Sequence, residues 1–520
     1  MGRGLVAQQW ANNLIVGGGV TGQAIMYAQQ YYASEYGSVA AGMYNVNEGK
    51  KGGWAQDMAQ TLLRDTRMEA GRLHNLLVER DPNFTEAYSA HGLGVQRFAY
   101  TNPDLVRMAI EAKDFIKKMK FHLAILGDDA PDVHFEPVGS LWIARKSDGQ
   151  EQKQRLINAY NVAREAHTRY KEIGQFTAML LGPERLKTMF PWMNCDDVEL
   201  AVYGLEHEGT FNLQALHRYL IHKNRQYGNK YMTGEFVGVR KIHALDAYHT
   251  SNPVMSNFQY GGGPAKEKMR LQDAPYTMGY ETGDGEYGGL DKEFGPNSAV
   301  KTAFFKVPNN KEPVEIRFTE MLLCCGRWTN EACQRMGIGD PEAQNEYLRR
   351  AIPIVGRKRY TYIINAKNAG PVLDMPYIID EESKLTVRRH GLSGDYIVTL
   401  WPQKDKGDLE PQDYDLAGDD KFFWDRVYPE LKHRMPLLDK DNFEYKGGWG
   451  HMIDFNKFDG APLMGPHPYH RNVHIVAGFG GLGSSLNVGA AIFGLGKATF
   501  ILLTQALSQL TFSKYAQNMN

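Results

Sequence analysis

The stretch that most restricts how this chain can fold is LIVGGGVTGQAIMYAQQYY, Leu14 to Tyr32. Leu14, Ile15 and Val16 read as the end of a buried strand and Gln23 to Tyr32 as a helix; Gly17, Gly19 and Gly22 fill the G-x-G-x-x-G pattern between them. Each glycine answers a steric demand. The first permits a tight turn, the second lets a pyrophosphate reach the backbone, and the third lets helix and strand pack closely. The helix N-terminus adds unpaired N–H groups and the positive end of its dipole. The pattern predicts dinucleotide binding. A glycine-rich turn without a ligand is the competing reading, because the motif alone is weakly specific.

A dinucleotide fold needs a second parallel strand ending in an acid for the ribose hydroxyls, about 20 residues on. Glu48, after MYNVN, and Glu79, ending NLLVE, are the two candidates. NLLVE has the character of a buried strand and is followed by Arg80, so Glu79 is favoured, although it lies 62 residues past Gly17. That distance requires an insertion, 37–73, in which Trp54, Met58 and Leu62 recur every four residues opposite Asp57, Gln60, Arg64 and Arg67. This is an amphipathic helix, packing on its own domain or docking on a partner.

At 520 residues the chain has room for two or more domains, or one interleaved pair. Its 59 Lys and Arg balance 60 Asp and Glu, so no global charge steers it toward nucleic acid or anionic lipid. Cys195, Cys324, Cys325 and Cys333 form no C-x-x-C pair, which indicates neither a disulfide framework nor a zinc site and suits a reducing compartment. The most apolar late stretch, Leu486 to Leu507, is interrupted by Asn487, Lys497 and several glycines and reads as a buried helix rather than a membrane span. The first thirteen residues contain Arg3 and no acid; they are too short and weakly patterned for a transit peptide, and no secretory apolar region follows.

Further along, Asp104 to Lys118 predicts a helix with Val106, Ile110 and Phe115 inward, and Asn212 caps another whose core face is Leu213, Leu216 and Leu220. Val138 to Arg145 and Val237 to Ile242 read as strands. A Gly-, Pro- and acid-rich run, 259–298, reads as a second insertion, followed by a hairpin of Ala299 to Val307 and Val314 to Phe318. Met321 to Cys325 is a short buried run ending at Gly326, and Arg359 to Asn365 and Tyr396 to Trp401 belong to a second sheet. The late stretch HIVAGFGGLGSSLNVGAAIFGLG, His474 to Gly496, repeats the early logic of strand, glycine cluster and helix.

Taken with LVERD and LLCCGRW, these two glycine clusters resemble the D-amino-acid oxidase and sarcosine oxidase superfamily of FAD-dependent oxidoreductases. The runs FPWMN, ELAVYGLEHEG, RKRYTY, RRHGL and FDGAPLMGPHP are similar to a mitochondrial branch of that superfamily associated with assembly of respiratory complex I. The resemblance implies an α/β fold: a Rossmann-type FAD-binding domain interleaved with an α+β substrate-type domain built on a large mixed sheet. It would assign 13–110, 195–250, 299–335 and 440–510 to the first and 111–194 and 336–439 to the second. By the same resemblance Gly17, Gly19 and Gly22 would cradle the FAD pyrophosphate, and Glu79 with Arg80 would meet the adenosine ribose. Backbone at Phe236 and Val237 would meet adenine. Gly326 and Trp328 match a mid-chain turn against the cofactor, where Cys324 and Cys325 replace the usual alanines. Gly478, Gly481 and Gly483 match a C-terminal motif beside the isoalloxazine ring.

The departures bear on activity. Gly480 and Leu482 replace the serine and histidine usual in that motif, and Ser485 replaces a lysine that helps sarcosine oxidases bind a substrate carboxylate. The strand YIVTLW carries no counterpart of the lysine that promotes reaction with oxygen by stabilising superoxide charge. Arg97 and Arg388 match substrate-gripping arginines, with structural ion pairing as the alternative; His467 reads as a turn residue. The resemblance thus implies an FAD flavoprotein with a depleted substrate pocket, attached to complex I on the matrix side and peripheral to the inner membrane. An active FAD-dependent oxidase or dehydrogenase of a secondary amine or amino acid, and a flavin-free scaffold, are the alternatives.

Overall fold

The computed structural model describes residues 9–32, 73–125, 127–169, 176–241, 300–343, 346–366, 375–391, 393–403, 407–408, 415–470, 472–480 and 489. Both expected insertions, apart from Leu73, lie outside these residues, as do Glu48, Gly481, Gly483 and most of Leu486 to Leu507.

Leu14, Ile15 and Val16 are all buried, with Ile15 in one apolar cluster and Leu14 and Val16 in another. A strand whose successive side chains point to opposite faces can bury all of them only inside a sheet covered on both sides. That strand, β1 (Gln9–Val16), is central in the first sheet. It pairs in parallel with β2 (Asn75–Glu79) and with β11 (Val314–Leu323), while β2 continues to β8 (Lys230–Thr233) and β11 to β18 (Val473–Ala477), again in parallel. The antiparallel β17 (Leu463–Pro466) borders β18, and a ribbon of β9 (Glu235–Lys241) and β10 (Val300–Lys306) joins the first half of β11. Helices cover one face: α1 (20–32), α2 (Pro103–Lys117) and α3 (Leu213–Gln226), with Ile25, Val106, Ile110, Phe115, Leu216 and Leu220 in the shared core. The Asn212 side chain accepts from the Ala215 N–H at 2.9 Å, giving the N-cap read from the sequence.

The second sheet is mixed and runs β16 (Glu444–Asn456), β12 (Ile354–Asn365), β15 (Asp395–Leu400), β14 (Leu385–His390), β13 (Tyr377–Asp380), β4 (Ser140–Arg145), β6 (Val198–Gly204), β5 (Met179–Leu181). Only β13 and β4 pair in parallel. One face buries Tyr360, Tyr362, Val387 and Val398 against α4 (Tyr428–Arg434). The other face carries buried polar groups, among them Arg359, Thr361, Arg388, Thr399 and His451. The strands β3 (Gly94–Gln96) and β7 (Gly209–Phe211) form a separate antiparallel pair.

Two element boundaries differ from the sequence reading. α1 begins at residue 20, three earlier than Gln23, because the turn of Gly17 to Gly19 is shorter than the pattern suggested. The hairpin strand read as Val314 to Phe318 runs on to Leu323, so the first three residues of the buried run Met321 to Cys325 end β11, which is long enough to pair with both β10 and β18. The segments expected in the cofactor domain, 195–250 and 440–510, open with β6 and β16, and both strands hydrogen-bond into the second sheet.

The second sheet is anchored by a buried charge cluster. Arg434 and Asp380 are fully buried and 2.7 Å apart; Arg145 reaches Asp380 at 2.9 Å and Glu430 at 2.8 Å, and Arg434 also holds Asp197 at 2.9 Å. The two guanidiniums hold the Asp380 carboxyl below the usual carboxylate range in spite of its burial. Removing one partner strands a buried charge. Arg434→Met is therefore expected to destabilise the protein by about 3–5 kcal/mol, measured by urea denaturation. A loss within the error of the wild type would contradict the cluster's structural role.

Candidate functional site

The parallel strands β1, β2, β11, β8 and β18 bring Val16, Glu79, Leu323, Thr233 and Ala477 to one edge of the sheet. Loops leaving this edge enclose a cavity of about 1210 Å³, part of it open to solvent. A crevice beyond the carboxyl ends of parallel strands is where open α/β sheets bind ligands. Of the residues predicted for the site, Gly17, Gly19, Glu79, Arg80, Gly326 and Trp328 line this cavity together.

The turn after β1 is held from every side. Gly17 has φ +102°, and a Cβ there would overlap the carbonyl oxygen of Cys324. A Cβ at Gly22 would overlap the carbonyl of Gly17, so α1 can sit this close to the turn only without one. Gly19 has 3.1 Å between a would-be Cβ and Ser89 Oγ. Gly18 donates its N–H to Glu79 Oε2 at 2.6 Å, and its carbonyl lies 2.8 Å from His217 Nε2. A carbonyl only accepts, so the Nε2 of His217 carries the proton. Burial holds the His217 pKa below its ordinary value, which keeps that ring neutral. Ser89 Oγ accepts from Val20 N–H at 2.8 Å and so caps the first turn of α1.

Glu79 also accepts from Asp81 N–H at 2.9 Å, which aims its carboxylate at the turn and at the cavity. Beside it, Glu86 binds Arg327 at 2.9 Å and Arg80 at 3.3 Å, and both guanidiniums lie over the Trp328 ring, at 3.8 and 4.7 Å from its centre. Such stacking contributes on the order of 1 kcal/mol per pair and fixes the indole in the wall. Cys324 and Cys325 also line the cavity, just before the Gly326 to Trp328 turn, and burial raises both thiols well above their ordinary value, so neither is a thiolate nucleophile.

The far end is formed by Tyr88, Met452, Asp454 and Val476. Asp454 Oδ2 accepts from Gly478 N–H at 2.6 Å and Phe479 N–H at 3.3 Å; burial pushes its carboxyl up to about 6 against those donors. His451, ring centre 5.7 Å from Tyr88, is lowered to about 3 by burial and by Arg359, and its Nδ1 is 3.4 Å from Thr361 Oγ1. Ser89, His217, His451 and Asp454 were missed by sequence reasoning. Each is a single residue brought in by long-range contact, with no local motif to mark it.

Four predicted residues sit elsewhere. Val237 is 44% exposed on β9 and is not in the cavity wall; its neighbours Glu235 and Phe236 are, with Arg335 bonded to the Phe236 carbonyl. Arg388 lies outside the wall, donates to Gly94 O at 3.2 Å and has no hydrogen-bond partner for its Nε among the described residues. Arg97, also outside the wall, stacks on Tyr100 at 4.8 Å and Trp142 at 5.5 Å. Gly478 (φ +90°) stands beside Asp454 at the cavity's end rather than in its wall. His467 is a buried turn residue whose Nδ1 accepts from the N–H groups of Tyr469 and His470, each at 3.2 Å.

These features define a class: a two-sheet α/β protein with a dinucleotide-type glycine turn facing a long cavity at the junction with a mixed sheet. Over 96% of its length the chain superposes on 94% of L-proline dehydrogenase from P. horikoshii, with a TM-score of 0.58 at 15% identity. Glycine oxidase from Geobacillus kaustophilus gives a TM-score of 0.56 at 13% identity, covering 96% of this chain and 95% of that one. The chain thus shares the fold of these two solved proteins. In sequence the chain is 28% identical over 423 residues, 81% of its own length and 72% of the relative, to the FAD-dependent oxidoreductase domain-containing protein 1 of Xenopus laevis. No family model matches the chain.

Near Arg97, Glu208 is buried, accepts from the Ser140 hydroxyl, and is pushed up to about 7 from 4.5 by burial. Folding therefore favours its protonated form; that stabilisation is complete below pH 4.5 and is lost as pH rises through 7. Glu208→Gln removes the titration. Its stability relative to wild type should climb between those limits and level off, with a rise of about 3 kcal/mol. Parallel pH profiles for the two proteins would rule this out.

Proposed function

We propose that this chain is an FAD-binding flavoprotein of the D-amino-acid oxidase type. The observation that carries the reading is the cradle itself. Gly17 and Gly22 sit where a Cβ has no room, Gly19 opens on the cavity, and Glu79 stands beside them at the end of the next strand. These residues fit the phosphates and ribose of a dinucleotide, and the same cavity is lined further by Met452 and Asp454 of the second sheet, where the rest of such a ligand would lie. Bound FAD would supply acceptance of a hydride equivalent from a substrate. The chain's own part is to hold the pyrophosphate at the start of α1, the ribose at Glu79, and the cofactor's edge against the Gly326 to Trp328 turn.

The finer reading is an accessory subunit or assembly factor of mitochondrial respiratory complex I, on the matrix side and peripheral to the inner membrane, with catalysis reduced or lost. It is supported by the resemblance of FPWMN, RKRYTY and FDGAPLMGPHP to that branch, by the two insertions, and by Gly480, Leu482 and Ser485 at motif positions where amine oxidases carry serine, histidine and lysine. One observation favours a second reading, an active oxidase or dehydrogenase of a secondary amine or amino acid. On the face away from Tyr362 and Val398 the second sheet buries Thr361, Thr399, Arg388 and His451, more polarity than a face that only packs would need.

Titrating flavin-stripped protein with FAD tests the cofactor. Gly22→Ala should weaken binding by at least about tenfold, 1.4 kcal/mol, and equal binding by the variant would overturn the cradle. On native gels of mitochondrial membranes the chain should migrate with complex I or its intermediates; migration only as a free monomer would remove the complex I reading. Steady anaerobic bleaching of bound flavin by N-methyl amino acids would decide for the active enzyme.

A further inference from the structure

The two glycine turns at the edge of the first sheet are held in the same way by carboxylates of different origin. Glu79 holds the first turn from within the same sheet, at 2.6 Å to Gly18 N–H. Asp454 holds the second from the other sheet, at 2.6 Å to Gly478 N–H, with Phe479 N–H at 3.3 Å on the same oxygen. Its own backbone carbonyl accepts from Gly480 N–H at 2.8 Å. A Cβ on Gly480 would collide with that carbonyl, and a Cβ on Gly478 would come to 3.0 Å from Ile354 Cδ1. The turn is thus seated on β16 and β12 with no space for a side chain at Gly480 and little at Gly478.

β16 is a stiff support, because β12 pairs with it continuously from Ile354↔Asn456 to Asn365↔Glu444, with one bulge. Asp454 also lines the cavity. We propose that Asp454 is a positioning residue of the cofactor site: from the second sheet it fixes the Gly478–Gly480 turn, and so makes that end of the site depend on the second domain. The proposal rests on the reading that the cavity holds FAD. Charge-assisted bonds from a carboxylate to backbone N–H groups are about twice as strong as neutral ones. Without them the turn must be ordered at the expense of ligand affinity.

The experiment is hydrogen exchange by mass spectrometry on full-length wild type, Asp454→Ala and Asp454→Asn, with and without added FAD, alongside FAD titration. In Asp454→Ala the peptide spanning Val473 to Gly480 should exchange at least about tenfold faster and FAD affinity should fall about tenfold. Asp454→Asn, which keeps an acceptor oxygen, should stay within about threefold of wild type in both. Unchanged exchange in Asp454→Ala overturns the pin, and faster exchange with undiminished FAD affinity overturns its role in positioning. If wild type takes up no FAD while Asp454→Ala still loosens the peptide, the pin stands and the cofactor reading falls. Should Asp454→Ala not fold, Gly480→Ala lifts the turn off β16 from the opposite side, and the same two readouts decide.

Discussion

The structure hangs on one close approach. β1 and β11 are hydrogen-bonded in parallel up to the pair Val16↔Leu323, so the two chains leave the sheet side by side. The Cys324 carbonyl then occupies the place where any side chain at Gly17 would start. This contact fixes the direction in which the first turn leaves the sheet. α1 can return across the sheet only because Gly22 also lacks a Cβ, and the apolar face of α1 then seeds the core with Val20, Ala24, Ile25 and Ala28. The floor of the cavity and the largest helical core of the first domain share this origin.

From that point the site is built by pinning backbone rather than by presenting reactive side chains. Gly18 is held at its N–H by Glu79 and at its carbonyl by His217, and Val20 is held by Ser89. The cations nearby, Arg80 and Arg327, are paired with Glu86 and stacked on Trp328. Preorganised dipoles of this kind suit a large anionic ligand that is held permanently. The thiols of Cys324 and Cys325 are kept protonated by burial and act as small apolar spacers.

Features encoded by neighbouring residues were legible in the sequence: the glycine turn, the strand NLLVE ending at Glu79, and the Asn212 cap with its Leu213, Leu216 and Leu220 stripe. Strand periodicity also announced β12 and β15, which pair with each other. What remained hidden depends on which distant segments meet. Nothing local to HMIDFN marks Asp454 as the partner of a turn some two dozen positions later, and nothing in ELAVYG tells which sheet β6 joins, since a short apolar strand suits either. The parity of β9 was hidden too: Phe236 is buried and Val237 exposed, and the sequence does not reveal which parity the sheet adopts.

The central claim is that the cavity between the two sheets is an FAD site that the chain fills on its own. The most direct measurement is the flavin released on denaturing freshly purified full-length protein, identified and quantified against protein concentration. Approaching one FAD per chain is the predicted result. A colourless protein that releases no flavin, and takes none up when FAD is added during refolding, would contradict the account.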